Sequence, residues 1–532
     1  MSSAWLDITA DVLHNPSPKV AGIGITGNSI MDRIGDTGTY TFSLNNSTTN
    51  IGGVLGYYTP AGANVLSGWT TGIPIRLTLA YDGYQKLYYF VIDSDGIEVV
   101  PFQYKERRVN VRCSNWLDRA AKHRLKNVSY QTTVRGDQGI QAILDDMTFK
   151  PQRAALSQGQ QSYPTMFDIT HSNTMAISEI NKIVMSGLDY AYISGDDTYG
   201  ETLRYMTRTD WLNKNSVAVF PAKNSDFTDS ILTEAGDHIL SEAGDRILIE
   251  HATTANFLST QNNMTTLKVL YGKNIANRVK MRTYPRRVDT TDVVLWSLET
   301  PITIAAGETL TDVVGQYTNP SFGKIQISGI NMVIPVSGTD FKMYANIDAT
   351  GTDRTADLVV SADYRSTAEV KYSLTNNNAA TSYITTLQAR GRGVYIDDPS
   401  EKLYESSTSQ TTYGVIPLDI DLPYLDGLDN LFVYAEKTPA TIYNGGLLTQ
   451  LDKSMMTIEQ LSFIVNASSK LMLAFLFMDP GDALEIYETV TYDGNTGYSY
   501  WNSPWWLMGY DFEIINGKYI KWSMILKYRG LT

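Results

Sequence analysis

The residues that could carry chemistry in this 532-residue chain are few and widely spaced. The five histidines are His14, His123, His171, His238 and His251, and their spacing is not that with which a helix holds a metal ion. The sequence also has no G-x-S-x-G, H-E-x-x-H or G-x-x-x-x-G-K-S/T motif. We therefore interpret each histidine as a surface or packing residue and predict neither a metal site nor a catalytic site.

Residues 22–27 (GIGITG) match the glycine spacing of a dinucleotide-binding turn. That turn needs a strand before it, a helix after it and an acidic residue about 20 positions further on. Here Pro18 precedes the glycines closely, Gly35 interrupts the segment after them, and positions 43–53 contain no acidic residue. We interpret the glycines as part of a turn or strand and predict no cofactor.

Acidic residues gather near position 420, where the cluster consists of Asp419, Asp421, Asp426 and Asp429. Proline and glycine within this stretch favour a solvated loop. A pair of carboxylates for glycoside hydrolysis stays open, because such pairs are defined by their separation in space.

A repeat with a period of eight covers Ile231–His238 and Ile239–Arg246, and each unit contains Ile-Leu, one further residue and Glu-Ala-Gly-Asp. A short apolar strand followed by a glycine turn predicts a small β-meander. A calcium site is the alternative reading, but known calcium loops have other spacings.

Cys113 is the only cysteine, which excludes an intramolecular disulfide and a zinc site built on thiolates. We predict that it is a small buried side chain at the end of a strand over Val109–Arg112.

The candidate contacts for a protein interface or a glycan are Trp501, Trp505 and Trp506, which lie in an aromatic cluster. Adjacent strand residues point to opposite faces, so at least one of Trp505 and Trp506 is expected in a core or an interface.

Composition narrows the class of protein. Lys plus Arg number 43 against 56 Asp plus Glu, which gives a net charge of −13 and argues against nucleic-acid binding as the main task. The chain is 43% hydrophobic and only 19% charged, so it can fill about three or four domains. Its 34 tyrosines favour strands and contact surfaces.

We find no signal peptide, and the apolar segment Leu471–Met478 is far shorter than the roughly 20 residues of a bilayer span.

The elements that must position these residues are mainly β. Residues 1–112 show alternating strands such as Tyr40–Leu44 and Ile73–Leu79, and they predict a β-barrel. Asp82-Gly83 and Asp95-Gly96 are read as hairpin turns, and Pro74 places its strand at an edge.

Residues 113–215 are predicted to form an α+β module. Its first helix is capped by Asn115, its second by Asp137, and its third ends at Gly187. A β-hairpin follows over residues 188–207. The remaining segments are expected to be a β-repeat that returns to the barrel (216–284), an inserted β-sandwich (285–400) and an α+β portion (401–532) with a helix over 467–478.

Taken in order, several segments resemble the tail hub family of long-tailed bacteriophages, also called baseplate-hub or tail-tip proteins. They are Trp5–Asp11, Gly38–Asn46, Gly72–Leu77, Asn115–Arg119, Ile180–Ile193, Arg204–Arg208, Asn277–Met281, Pro480–Asp482 with Glu485-Ile486, and the Trp522 strand. They are patterns of shape spread over most of the chain, and none is a catalytic motif.

The resemblance implies a structural virion protein at the tail tip, made in the host cytoplasm, that forms a ring, commonly a homotrimer, around the DNA exit channel. Its implied partners are the distal tail protein ring, the tape-measure protein and a central fibre or spike. Specific nucleic-acid binding and stable membrane insertion are not expected. The alternative function is a receptor-binding or adsorption protein that contacts host surface glycans through the inserted β domain or the C-terminal aromatic residues. A wall-degrading enzyme is a third and weaker reading.

Overall fold

An N-terminal strand (Lys19–Gly24) and a C-terminal strand (Pro504–Ile515) lie side by side in one sheet in the computed structural model. The structure describes residues 5–27, 31–103, 106–126, 128–168, 174–212, 216–221, 264–271, 275–321, 325–427, 451–454, 456–487, 489–492, 495–498 and 504–528. The fold is mainly β and has several separate cores, as the sequence predicts.

Six strands form before residue 115: β1 (Val12–Leu13), β2 (Lys19–Gly24), β3 (Thr39–Asn45), β4 (Pro74–Tyr81), β5 (Tyr84–Gln103) and β6 (Glu106–Ser114). The hairpin between β4 and β5 is confirmed, since Asp82 and Gly83 have φ angles of 51° and 81°, both left-handed as a tight hairpin turn requires. The predicted turn at Asp95-Gly96 is wrong. Strand β5 continues through it, and its pairing with β6 shifts between Ile92 and Ile97 as a bulge.

The next region alternates helices and short strands. It contains α1 (Trp116–Lys122), β7 (Gln131–Arg135), α2 (Gly136–Asp146), β8 (Arg153–Leu156), β9 (Ser162–Met166), α3 (Ala176–Gly187), β10 (Tyr190–Ser194), β11 (Thr202–Met206), α4 (Arg208–Leu212) and β12 (Ser216–Pro221). The Asn115 side chain caps α1 by accepting a hydrogen bond from the Leu117 N–H. Asp137 does not cap α2 but lies in its first turn and bonds Arg135.

Thirteen strands follow between residues 264 and 422, and they surround one further helix, α5 (Ser407–Tyr413). They are β13 (Met264–Tyr271), β14 (Arg278–Thr283), β15 (Arg286–Val288), β16 (Val293–Ser297), β17 (Ile302–Ile304), β18 (Thr309–Gln316), β19 (Ser328–Ile330), β20 (Phe341–Tyr344), β21 (Leu358–Asp363), β22 (Glu369–Asn376), β23 (Ser382–Ile396), β24 (Ser400–Glu405) and β25 (Pro417–Leu422).

The last elements are β26 (Met456–Ile464), α6 (Ser469–Phe477), β27 (Ala483–Tyr487), β28 (Thr489–Tyr492), β29 (Asn495–Tyr498), β30 (Pro504–Ile515) and β31 (Tyr519–Tyr528). Helix α6 therefore matches the helix predicted over 467–478.

A twelve-stranded sheet joins the two ends of the chain. Its main order is β13-β26-β31-β30-β2-β3-β6-β5-β4, so the predicted N-terminal barrel strands do not stand alone. Helix α6 packs on both halves of this sheet, because Phe475 contacts Trp522 on β31 and Phe477 contacts Tyr84 on β5. The sheet thus curves around α6. Among the described residues β4 pairs only with β5, which makes β4 an edge strand as Pro74 predicts.

Two further large cores lie outside this sheet. Helices α1–α3 and the β10–β11 hairpin bury their apolar side chains against β14 and β25. Residues 286–396 form a sandwich in which β23 pairs with five short strands and the sheet β18-β22-β21 packs opposite. The sandwich is joined to the α+β module by two buried contacts: Arg286 with Asp168, and the Thr367 hydroxyl with the Phe167 carbonyl.

Candidate interaction surface

The glycines of residues 22–27 have a packing role. Gly22 and Gly24 lie in β2 with φ angles of 75° and 84°, and the described residues 31–38 contain no helix. A β-carbon on Gly24 would come within 2.6 Å of the Met508 carbonyl oxygen. The glycine therefore lets β2 approach the neighbouring strand β30.

Two of the three candidate tryptophans are buried, which corrects their assignment to a surface contact. Trp505 is 0% and Trp506 is 5% exposed, and they lie on opposite faces of β30 in two different cores. Their rings pack inside the chain, where Trp506 meets Trp211 at a centroid distance of 6.1 Å. Trp501 lies outside the described residues, so its role stays a prediction.

Part of the acidic cluster does not lie in the predicted loop. Asp419 and Asp421 lie on β25, next to β14, and both bind the Arg282 guanidinium. One guanidinium serves both carboxylates, so their charges are only partly offset on this exposed sheet face. Asp426 lies in the irregular segment after β25, as the sequence predicts. Asp429 lies outside the described residues.

Two of the remaining sequence candidates, Cys113 and His123, lie in the described part of the chain and are engaged there. Cys113 is buried in β6, and burial raises the pKa of its thiol. His123 binds Asp146, with 3.2 Å between Nε2 and a carboxylate oxygen. The period-eight repeat, His171, His238 and His251 lie outside the described residues.

A surface that the sequence did not indicate collects exposed aromatic rings and arginines at the junction of the sheet and the α+β module. We call it the arginine–aromatic surface, and it consists of Trp5, Arg76, Tyr89, Arg119, Phe149, Arg153 and Tyr199. Three of its rings are strongly exposed: Trp5 at 43%, Phe149 at 60% and Tyr199 at 50%.

The β4–β5 hairpin positions the first part of this surface. Arg76 and Tyr89 are direct cross-strand partners, so their side chains share one face of the hairpin. Trp5 covers both: the Arg76 guanidinium lies 4.9 Å from its ring centroid, and the Tyr89 ring meets it edge-on at 6.1 Å.

The α+β module supplies the second part. The Arg119 guanidinium lies 4.7 Å from the Phe149 ring centroid, and the Arg153 guanidinium lies 5.6 Å from that of Tyr199. The Tyr89 N–H donates to the Gly200 carbonyl oxygen at 2.7 Å, which joins the two parts.

Glu201 lies buried beneath this surface. One of its carboxylate oxygens accepts a hydrogen bond of 2.7 Å from the Trp116 N–H at the start of α1. Burial raises the pKa of Glu201 from its ordinary 4.5 to about 7, although the Trp116 and Gln152 N–H groups and the charge of Arg119 act in the opposite direction.

The three arginines of the surface carry available charge. Arg76, Arg119 and Arg153 form no ion pair with any carboxylate in the part of the chain that the structure describes. Arginine with Trp, Tyr and Phe is the composition of protein interfaces and of their most strongly binding residues. The surface also adjoins the edge strand β4. The sequence did not predict the arginine–aromatic surface because its residues come from separate segments of the chain.

A buried ion-pair network holds the two parts together. The Lys86 ammonium on β5 lies 2.9 Å from Asp479, which also binds Arg204 on β11 at 2.9 Å. Burial is the largest single influence and by itself would lower the pKa of Lys86, but the Asp479 carboxylate, Tyr88 and Asp482 together outweigh burial, and the pKa is raised. The Asp479–Asp482 turn thus fixes the module on the sheet.

Within the described ranges, no three or more His, Cys, Asp and Glu side chains are placed to hold a metal ion. The helices of that same part include none with the length and apolar character needed to cross a membrane.

No known protein family and no curated protein matches the sequence. Several solved structures are similar to this chain. A tail protein from Neisseria meningitidis covers 96% of this chain and 91% of its own, with 7% identity and a TM-score of 0.42. A prophage tail protein from Listeria monocytogenes covers 97% and 89%, with 8% identity and a TM-score of 0.36.

A third match is an Escherichia coli component of the type VI secretion system, itself similar to two tail proteins of bacteriophage T4. It covers 98% of this chain and 75% of its own, with 6% identity and a TM-score of 0.35. These three structures are thus two tail proteins and one component of the type VI secretion system.

Proposed function

We propose that this chain is a structural protein of a bacteriophage tail, and more specifically the tail hub at the tail tip. The order of sequence segments that resemble the hub family supports this proposal. So does the sheet that unites both ends of the chain, since the resemblance implies that late segments return to the first β domain.

The observation that carries the proposal is the arginine–aromatic surface. It offers aromatic rings and cationic groups for contact with another protein. Its three arginines could each form an ion pair with a carboxylate of that protein. Two copies meeting through this same surface would place arginine against arginine. A contact between copies must therefore join it to a different, acidic surface of the next copy, and the net charge of −13 makes such surfaces available. Contacts of this head-to-tail kind form a closed ring when the rotation between copies closes, and an open filament when it does not.

In this role the ring, a homotrimer in the family, would surround the DNA exit channel. It would join the distal tail protein ring to a central fibre or spike, and the tape-measure protein would pass through it during ejection. The acidic character of the chain suits a conduit that should not retain DNA.

Light scattering on the purified chain at several concentrations tests this proposal. We expect a mass near three times the 59.2 kDa protomer. The variant Arg119→Glu/Arg153→Glu should shift the mass towards one protomer, because it opposes like charges across the contact. The matched control Lys19→Glu/Lys518→Glu reverses two exposed lysines outside the surface and should keep the wild-type mass.

The outcomes separate the parts of the proposal. A wild-type monomer at every concentration contradicts a ring that forms from this chain alone. A trimer that survives the arginine reversals supports the ring but removes this surface from its interface.

The alternative function is adsorption to host glycans. Trp505 and Trp506 are buried, so these two tryptophans are not exposed for contact with a glycan. A glycan array with the intact chain measures it directly, and binding to host polysaccharide would favour it.

A further inference from the structure

A cleft of about 460 Å³ opens between the inserted sandwich and the α+β module. Its floor is the outer face of the sheet β18-β22-β21, and its far wall carries Lys126 from the segment after α1. This volume falls within the range of about 300–1,000 Å³ that is typical of small-molecule sites.

The floor of the cleft is polar by the geometry of its strands. Ser361 pairs with Ser373 and Asp363 pairs with Lys371, so these four side chains share one face of β21 and β22. The alternate residues face the sandwich core, where Tyr372 is buried. The cleft floor therefore presents two hydroxyls, one carboxylate and one ammonium group.

A β-bulge forms one wall. The pairing of β18 with β22 shifts between Leu310 and Val313, which leaves Thr311 and Asp312 outside the ladder and along the cleft. Asp312 has a φ of 60°, an uncommon conformation for a residue other than glycine. Bulges redirect side chains, and strained residues of this kind concentrate at binding sites.

The opposite walls are held in place by one exposed and one buried hydrogen bond. The Lys126 N–H donates to the Asp146 carboxylate at 3.0 Å. Thr367, directly after the cleft residues Arg365 and Ser366, donates its hydroxyl to the Phe167 carbonyl oxygen at 2.7 Å. The cleft is therefore built into the contact between the two units.

Three cations and two carboxylates line the cleft. Arg365 is neutralised by Asp363, with 2.9 Å between its Nε and a carboxylate oxygen. The Lys371 ammonium lies 3.9 Å from the buried Glu369 of its own strand, which offsets the third cation. Lys126 and Asp312 have no ion pair among the described residues. These two groups are thus available to a ligand, which can also share the charge of the partly exposed Lys371.

This geometry points to a binding site for a saccharide that carries one acidic group. The serine and threonine hydroxyls and Asp312 would bond the sugar hydroxyls, and Lys126 with Lys371 would bind the carboxylate or phosphate. A nucleotide fits less well, because the Tyr372 ring is buried and cannot stack on a base.

Isothermal titration, supported by saturation-transfer NMR, tests the site on the full chain. The probes are glucuronate and glucose 1-phosphate as acidic sugars, glucose as the neutral sugar, and acetate and inorganic phosphate as anions without a sugar. We expect at least one acidic sugar to bind about tenfold more tightly than glucose or either free anion. Which acidic sugar binds distinguishes carboxylate from phosphate recognition.

Two variants assign the binding to this cleft. Lys126→Gln should reduce the affinity for the acidic sugar to that for glucose, while Lys150→Gln, an exposed lysine outside the cleft, should leave it unchanged. Asp312→Asn keeps a residue that tolerates the left-handed backbone and should weaken binding of every sugar.

Three results would overturn the inference: no acidic sugar binds at millimolar concentration, a free anion binds as well as the acidic sugar, or Lys126→Gln binds like the wild type while its unfolding temperature is unchanged. None of these results bears on the oligomeric mass, so the tail role is tested separately.

Discussion

The buried Glu201 makes the stability of this protein depend on pH in a defined direction. Its pKa rises from 4.5 to about 7 on folding, so between these values the folded state binds a proton that the unfolded state has released. Stability from this group is therefore present at low pH and is lost as the pH rises to 7. Between pH 5 and pH 8 the loss amounts to about 2–3 kcal/mol, because one pKa unit corresponds to about 1.4 kcal/mol.

The variant Glu201→Gln isolates this effect. The amide has nearly the shape of the protonated acid, and its oxygen can still accept the Trp116 N–H. We expect the free energy of unfolding of the variant to gain about 2–3 kcal/mol relative to the wild type between pH 5 and pH 8.

Urea unfolding monitored by tryptophan fluorescence measures this difference, since Trp116 lies next to the substituted residue. All other groups titrate in both proteins and cancel in the comparison. The control Glu299→Gln changes an exposed glutamate of the sandwich and should show a constant difference. A Glu201→Gln difference that stays constant from pH 5 to pH 8 would refute the reasoning.

Three other substitutions test the packing and capping described above. Asn115→Ala removes the hydrogen bond from the Leu117 N–H and should lower the free energy of unfolding by about 1 kcal/mol in urea titrations; no change would mean that the cap contributes nothing. Asp479→Asn leaves the Lys86 ammonium buried without its carboxylate and should cost about 3 kcal/mol, whereas Lys86→Met/Asp479→Asn should recover much of that loss; equal losses would contradict a charge effect. Trp505→Ala empties a fully buried site and should cost about 3–5 kcal/mol by the same assay, while a loss below about 1 kcal/mol would place the indole outside the core.

Elements governed by local interactions could be predicted from the sequence. The Asn115 cap, the Asp82-Gly83 hairpin and the helix before the Asp479–Asp482 turn all depend on residues within a few positions of each other. Where local signals competed, prediction was less reliable. Asp95-Gly96 has the sequence of a hairpin turn, yet the pairing of β5 with β6 on either side keeps the strand continuous.

The candidate sites depended on contacts that the sequence does not encode locally. Asp419 and Asp421 read as a solvated loop because their ion-pair partner, Arg282, is more than a hundred residues away. The arginine–aromatic surface and the cleft at Asp312 could not be predicted for the same reason, since each combines side chains from separate segments.

The sequence by itself therefore determined that the chain is mainly β, which faces of its strands are apolar and where β4 becomes an edge. Tertiary structure alone decided that β2 pairs with β30, that the sheet curves around α6 and that the sandwich rests on the α+β module. The physical reason is that side-chain alternation specifies which face of a strand is buried, whereas backbone hydrogen bonds are alike in every strand. The choice of partner strand is settled by the packing of complementary side chains, and these meet only when the whole chain has folded.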